Sequence, residues 1–440
     1  MRIEQVQIDV QNLKKGMYVC GLDRPWITTP FPFQGFVVRG PRDIEELKAH
    51  CQFVYVDVNR GVAPSTEDFG PKVNWGGRKK VTQAAPEPVR AKRIEVRHDY
   101  YKAPKAFNRE IRRAHVVHQE LTRAVAAVID DLRVGRALDV MAARTAASKM
   151  IQSVIRNPNA FVWLLKLRDK DKYSYAHSVR STVLAIVLGR HIGLNEKSLE
   201  DLALGTMLCD IGKAKLTKGL LEKRDPLTEE ERAKVESHVA IAVRMLEGQK
   251  AIPERVRRIV ETHHERYDGS GYPRGLQGDQ IPLLGRIAGL VDAYDAMISV
   301  KPYTDKLMTP TEATEYLYER RDVLFQGQLV QEFIRAVGIY PAGTLVRLSN
   351  GEMAMVLSNT EHRLYPKALV LVASDGEALA EPRPVDLCTT DRKGNVNTYA
   401  SIEAALVPED YGLDVRKIME QYEEQQWSLD KIKRLLRGAA

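Results

Sequence analysis

The run His263-His264-Glu265-Arg266-Tyr267-Asp268-Gly269-Ser270-Gly271-Tyr272-Pro273 joins two adjacent imidazoles to a glycine-rich loop that closes on Gly-Tyr-Pro. Imidazole nitrogens and carboxylate oxygens are ordinary ligands of divalent transition metals. Four more residues of this kind, His177, Asp210, His238 and Asp292, are spaced so that each falls on a different expected helix. Taken singly, each histidine is more often a packing or surface residue. In this joint order they suit a pair of divalent ions, which can bind a phosphodiester, lower the pKa of a bridging water and stabilise both attacking and leaving oxygens. The chemistry to which they point is metal-dependent phosphoester hydrolysis.

The elements that must carry these residues read as helices, each supplying one or two inward-facing ligands. From Phe107 the apolar residues Ile111, Ala114, Val117, Leu121, Val125, Val128 and Leu132 recur at helical spacing and stop near Gly135; helices then follow to about Val337. A helix over 173–191 is expected to bear His177, and one over 198–210 to end on Asp210. Thr228-Glu-Glu-Glu231 is a capping box that starts the helix of His238, His263 ends the next, and Asp292 lies in a helix over 283–297. Pro253, Pro282 and Pro310 mark further helix starts. Successive helix residues point about 100° apart, so one of His263 and His264 is expected to face the metal pair and the other a neighbouring site or the substrate.

The flanks read differently. Residues 1–60 alternate short β-like runs, at Val6–Val10 and Phe53–Val58, with a short helix near Asp43–His50. Residues 61–104 are basic, contain Pro and Gly, and have the character of a linker. After Gly338 the period becomes two: Thr344–Ser349, an Asn350-Gly351 type I′ turn and Glu352–Leu357 form an expected hairpin, with Ala368–Ala373 as a third strand. A last amphipathic stretch, 413–423 and 428–436, is expected to pack on this module or on a second copy of the chain, as in a homodimer. The expected fold is mainly α. A helical phosphohydrolase domain over 105–340 is flanked by a small α+β module at 1–60 and a small β module with terminal helices at 341–440.

Composition narrows the class. The 440 residues are 44% apolar, enough for at least one substantial core. The four cysteines, Cys20, Cys51, Cys209 and Cys388, are too scattered for a disulfide framework, which suggests a reducing cytoplasm. No signal-peptide core or membrane-spanning apolar run is evident. The net charge of +8 is concentrated in residues 72–113, where 13 Lys and Arg face 4 acids. With few interleaved aromatics and no recognition motif, this tract reads as a solvated linker and helix face, and specific nucleic-acid binding is not expected. His50, His98, His115, His118, His191 and His362 lack the context of the others and read as structural.

Residues 170–305 resemble the HD-GYP subgroup of the HD phosphohydrolase superfamily, through Tyr175-Ala-His177-Ser, Cys209-Asp-Ile-Gly-Lys213, Leu227-Thr-Glu-Glu-Glu with His238, the His263 to Pro273 run, and Val291-Asp-Ala-Tyr-Asp-Ala-Met297. Residues 1–60 also look like the uncharacterised module that often precedes such domains. The resemblance implies a bacterial enzyme hydrolysing cyclic di-GMP to linear pGpG or GMP by a metal-activated hydroxide, with diguanylate cyclase domains as partners. The implied ligands of two ions, Fe or Mn first and Zn admitted by Cys209, are His177, Cys209, Asp210, His238, His263, His264 and Asp292. Asp210 is the shared ligand, Lys213 neutralises developing charge, and Gly271, Tyr272, Pro273, Asp295 and Lys301 lie toward the substrate.

The chain departs from the family's pattern at several points. Cys209 stands in place of the namesake histidine; a thiolate can ligate Zn or Fe, and an isolated cysteine can equally be a small buried hydrophobe. The basic pair of an Arg-Pro-Tyr-basic motif becomes Lys301-Pro302-Tyr303-Thr304. Tyr173 stands where members proposed to hold a third metal carry a carboxylate, so two ions are expected at the centre. The competing functions are a cyclic di-GMP receptor or scaffold without turnover, and hydrolysis of another cyclic dinucleotide or phosphoester.

Overall fold

A computed structural model describes residues 5–23, 29, 31, 36–57, 62, 92–102, 107–134, 136, 139–165, 173–223, 225–247, 249, 251–299, 308–360, 364–390, 396–407, 411, 413 and 417. The chain divides into two units, Met1–Glu87 and Pro88–Ala440.

In the first unit, strands β1 (Gln5–Asp9), β2 (Tyr18–Leu22), β3 (Phe36–Val37) and β4 (Phe53–Asp57) form an antiparallel sheet in the order β1-β4-β2-β3. Helix α1 (Pro41–His50) starts on a proline, whose missing amide proton is no loss in the first turn. The alternating residues Ile8, Val19, Val54 and Val56 are buried on one face and enclose a core with Leu13, Met17 and Leu47.

The second unit begins with helices α2 (Phe107–Arg133), α3 (Val140–Arg156), α4 (Pro158–Leu164), α5 (Tyr173–His191) and α6 (Glu196–Leu208). It continues through α7 (Lys218–Leu221), α8 (Glu229–Glu236), α9 (His238–Leu246), α10 (Glu254–Thr262), α11 (Leu283–Ile298), α12 (Pro310–Glu319) and α13 (Gly327–Val337). Helix α5 is the axis of the bundle and packs against α2, α6, α11 and α13. Val183 through Leu188 are buried without a break, the pattern of a helix covered on all sides. Pro253 and Pro282 are the N-caps of α10 and α11, and Pro310 occupies the first turn of α12. Residues 92–102, the end of the stretch whose composition suggests a linker, run against this bundle: Arg97 N–H donates to Ile192 O, and the Tyr101 hydroxyl to Leu194 O.

A five-stranded antiparallel sheet follows, in the order β11-β5-β6-β7-β8, built from β5 (Leu345–Leu348), β6 (Met353–Ser358), β7 (Lys367–Val372), β8 (Ala378–Asp386) and β11 (Ile402–Leu406). Strands β9 (Cys388–Thr390) and β10 (Val396–Thr398) pair separately. The β5–β6 hairpin forms, with a different turn from the type I′ expected of Asn350-Gly351. Only Gly351 takes a positive φ, of 84°, and Gly351 N–H bonds to Leu348 O while Leu348 N–H bonds to Glu352 O. This is a three-residue type I loop with a glycine bulge, which spares Asn350 the left-handed conformation. The amphipathic stretch at 413–423 and 428–436 lies outside the described residues apart from 413 and 417. Among the described residues no helix is long and apolar enough to cross a membrane.

Candidate metal centre

The site lies where four helix ends and two helix flanks meet. His177 is on the first turns of α5, and Asp292 is midway along α11. Helix α6 stops at Leu208, so Asp210 lies past its end and caps the short 3-10 turn Ile211–Lys215, instead of being the last helical residue. That turn lies hard against α9: a Cβ on Gly212 would come 1.9 Å from the His238 carbonyl oxygen, so a glycine is required for this approach. The capping box is present, with Glu231 N–H on Thr228 Oγ1 and Thr228 N–H on Glu231 Oε2. The helix that it starts ends at Glu236, however, and His238 opens a new one after Ser237.

Two hydrogen bonds determine which imidazole nitrogens point inward. His238 Nδ1–H donates to Val235 O at 2.6 Å and His263 Nδ1–H to Val260 O at 2.8 Å, each three residues back along a helix end. The Nε2 atoms are therefore bare acceptors. They lie 3.5 Å and 4.0 Å from Asp210 Oδ1, itself an acceptor. Those three atoms and His264 Nε2 are buried without a hydrogen-bond partner. Each such group costs about 1–3 kcal/mol if left uncompensated, and a cation among them would satisfy all four. One nitrogen or oxygen from each of Asp210, His238, His263 and His264 lies within 4.8 Å of the others, close enough for the four to converge on a common ion.

A second group adjoins the first through Asp210. His177 Nε2 is 2.9 Å from Asp292 Oδ1 and 3.7 Å from Asp210 Oδ2. The carboxylate of Asp210 thus divides its oxygens, Oδ1 toward His238 and His263 and Oδ2 toward His177. Lys213 Nζ donates to Oδ2 at 2.8 Å. Burial would raise the Asp210 carboxyl, but Lys213, His238 and His177 outweigh it and hold it below the usual range. Burial likewise favours neutral His177, yet hydrogen bonds to Asp292 and Asp295 prevail and raise it to about 9. With no compensating hydrogen bond to a carboxylate, His238 is driven by burial down to about 4, and His264 well below the ordinary value. The donor set fits divalent ions, three neutral imidazoles on one side and a displaceable proton on the other.

Both adjacent histidines belong to the first group, against the expectation that only one would face inward. His263 is the C-cap of α10, φ −68° and ψ −20°, and His264 follows in the turn. The chain has left the helix between them, so the 100° rule no longer separates their rings, whose centroids are 4.1 Å apart. Tyr272 stacks on His264 at 4.7 Å and 23° and forms one wall of the site. Glu265 is buried and anchors the loop, accepting Arg274 N–H at 2.8 Å and Leu276 N–H at 2.9 Å. At Gly271 a Cβ would lie 2.2 Å from Arg266 N, so this glycine is needed for the loop to close on itself.

Two expected site residues stand outside both groups of ligand atoms. Cys209 is in neither group of converging ligand atoms; it lines the cavity beside His177, Asp210 and Asp292 and packs with Ile259, Ala288 and Leu284. Burial and the nearby Asp210 and Asp292 push its thiol well above the usual range, which disfavours the thiolate needed for ligation. Asp295 is fully buried behind His177, so it is shielded from any substrate. It accepts from His177 Nδ1 at 2.7 Å and from Arg180 Nε at 2.7 Å, and Arg180 Nη2 also reaches Ser299 Oγ at 2.7 Å. Arg180 and Ser299 are absent from the sequence reading, although His177 and Arg180, and Asp292 and Asp295, stand three apart on facing helices, a spacing that pairs them. Pro273 is exposed at the loop tip. Lys301 and Thr304 lie outside the described residues, as does the side chain of Tyr173.

A helical bundle that converges paired His and Asp groups around one shared aspartate defines the class of HD-type, metal-dependent phosphohydrolases. Comparison with known families agrees. An HD domain model matches residues 164–329, and a model described as a domain of unknown function (DUF3391) matches residues 5–143. The chain is 32% identical over 403 residues to cyclic di-GMP phosphodiesterase PA4108 of Pseudomonas aeruginosa, covering 91% of this chain and 92% of the relative. It is 34% identical over 167 residues to the cyclic di-GMP phosphodiesterase response regulator RpfG of Xanthomonas campestris pv. campestris, covering 38% and 44% of the two chains. It is 33% identical over 157 residues to 3'3'-cGAMP-specific phosphodiesterase 2 of Vibrio cholerae, covering 36% and 30%. The chain belongs to the HD-GYP family of HD-domain hydrolases.

Proposed function

We propose that this protein hydrolyses cyclic di-GMP to linear pGpG or GMP, using two divalent ions. Asp210, His238, His263 and His264 would hold one ion, and His177, Asp210 and Asp292 the other, with Asp210 shared. When bound, such a pair supplies Lewis-acid activation of the phosphodiester and of water. Iron or manganese suits the imidazole and carboxylate ligands, and the same ligand types admit zinc without a thiolate. The observation that carries the reading is the set of buried, bare acceptors around Asp210 Oδ1 beside a second group on its Oδ2.

Around the ions, the chain's own residues orient and shield. Asp295 and Arg180 fix the His177 ring, and the carbonyls of Val235 and Val260 fix those of His238 and His263. Lys213, about one third exposed, offers positive charge to the phosphate. Tyr272 stacks on His264, and the backbone of the Gly271–Pro273 loop would lie toward the nucleotide. Cyclic di-GMP is the favoured substrate because it names the activity of the relative matched over nine-tenths of both chains.

The test is hydrolysis of cyclic di-GMP by protein purified without oxygen and supplied with Mn or Fe(II), with products separated chromatographically. Wild-type protein should turn over, and Asp210→Ala should lose about 10³-fold or more, since the ions contribute several kcal/mol to the transition state. Tight cyclic di-GMP binding with no turnover in either metal would make the protein a receptor.

A further inference from the structure

A second histidine-carboxylate group shares no residue with the Asp210 centre. His98 comes from the segment before α2, His191 from the end of α5 and Glu332 from α13. His98 Nε2 is 2.8 Å and His191 Nε2 2.9 Å from the same oxygen, Glu332 Oε2. The two rings lie 4.7 Å apart. We propose that these residues are a binding site for a divalent transition metal of the zinc type, fastening residues 92–102 to the end of the helix that carries His177.

The group has the composition and build of a metal site. Two imidazoles and one glutamate are a recognised zinc ligand set that leaves positions open for water. Glu332 is buried, and its other oxygen, Oε1, accepts from Arg335 Nη1 at 2.6 Å. An outer partner of that kind holds a ligating carboxylate in orientation. On ligation through Nε2, each neutral imidazole carries its single proton on Nδ1. His98 is about half exposed and His191 about one quarter, so an ion can enter from solvent.

The segment is held against the bundle by hydrogen bonds of its own, separate from the three ligand side chains. Arg97 N–H donates to Ile192 O at 3.0 Å, and Arg97 Nη2 to Gly193 O at 3.1 Å. Ile94 and Gln328 exchange two hydrogen bonds, Ile94 N–H to Oε1 at 2.7 Å and Nε2 to Ile94 O at 2.9 Å. Gly193, at φ +78°, lets the Arg97 carbonyl approach; a Cβ there would come within 2.5 Å of that oxygen. Three chain segments thus deliver three ligand atoms to one point.

The experiment compares full-length wild type with His98→Ala and His191→Ala, leaving the Asp210 centre intact in all three. Each is equilibrated with Zn²⁺, desalted, and assayed for metal by elemental analysis and for Tm. Wild type should hold about one more equivalent than either variant. Added Zn²⁺ should raise its Tm by about 2–4 °C more than theirs. Arg335→Gln should weaken that extra equivalent roughly tenfold. Equal zinc content and equal Tm response in wild type and both variants would overturn the proposal. So would a third equivalent that survives in the variants, since it would then belong to the Asp210 centre.

Discussion

The Asp210 centre and the His98, His191, Glu332 group are both made of imidazoles and carboxylates, yet they solve the same electrostatic problem in opposite ways. In the second group every ligand atom already has a partner, because one glutamate oxygen accepts from both rings. In the first, backbone carbonyls take the Nδ1 protons of His238 and His263 and leave bare nitrogens facing a carboxylate oxygen. A protein tolerates buried acceptors facing acceptors where a cation supplies the missing charge. Hydrogen-bond satisfaction, more than residue type, is what distinguishes the two groups.

The largest effect that would sharpen this contrast is on pH. In chelated protein, His177 is raised from 6.5 to about 9, so its contribution is complete below pH 6.5 and is lost as pH rises through 9. His238 is lowered to about 4, so its contribution is present above pH 6.5 and is lost as pH falls through 4. Melting of the chelated protein should therefore peak near pH 6.5, with an alkaline limb of up to about 3 kcal/mol. Metal-loaded protein should lose the alkaline limb, because the ion has replaced the His177 proton. An alkaline limb that persists in loaded protein, or in His177→Gln, would break the assignment.

A smaller effect concerns the support behind the centre. Asp295→Asn weakens the acceptor for His177 Nδ1, and metal affinity should fall by about 10–100-fold, measured by competition with a chelator. Unchanged affinity would make Asp295 a packing residue. The smallest effect is expected at Cys209. Cys209→Ala should leave metal content unchanged and cost about 1 kcal/mol in denaturant melts. Loss of an ion in that variant would return the cysteine to the ligand set.

Much of the helical architecture was legible because its signals are local. The capping box at Thr228, the prolines at 253, 282 and 310, and the full span of α5 need only neighbours in sequence. The failures were also local in origin. Periodicity carried α6 two residues too far and ran α8 into α9, because the Gly212 turn is specified by contact with His238, a residue far along the chain. The type I′ turn failed because the sheet's bulge, not the Asn-Gly dipeptide, determined which residue takes positive φ.

The sequence by itself determined the inventory of the site: His177, Asp210, His238, the His263-His264 pair and Asp292, each on its own element, with a glycine-rich loop beside them. Residue type and helical spacing suffice for that, since both are properties of short segments. Only the tertiary structure decided the direction in which each group points. It turned His264 inward past the end of α10, sent Cys209 into an apolar cluster and Asp295 behind His177, and brought His98 and His191 onto one oxygen of Glu332. These outcomes depend on helix ends and on packing between distant segments, where a shift of one residue turns a side chain by about 100° and changes its partners.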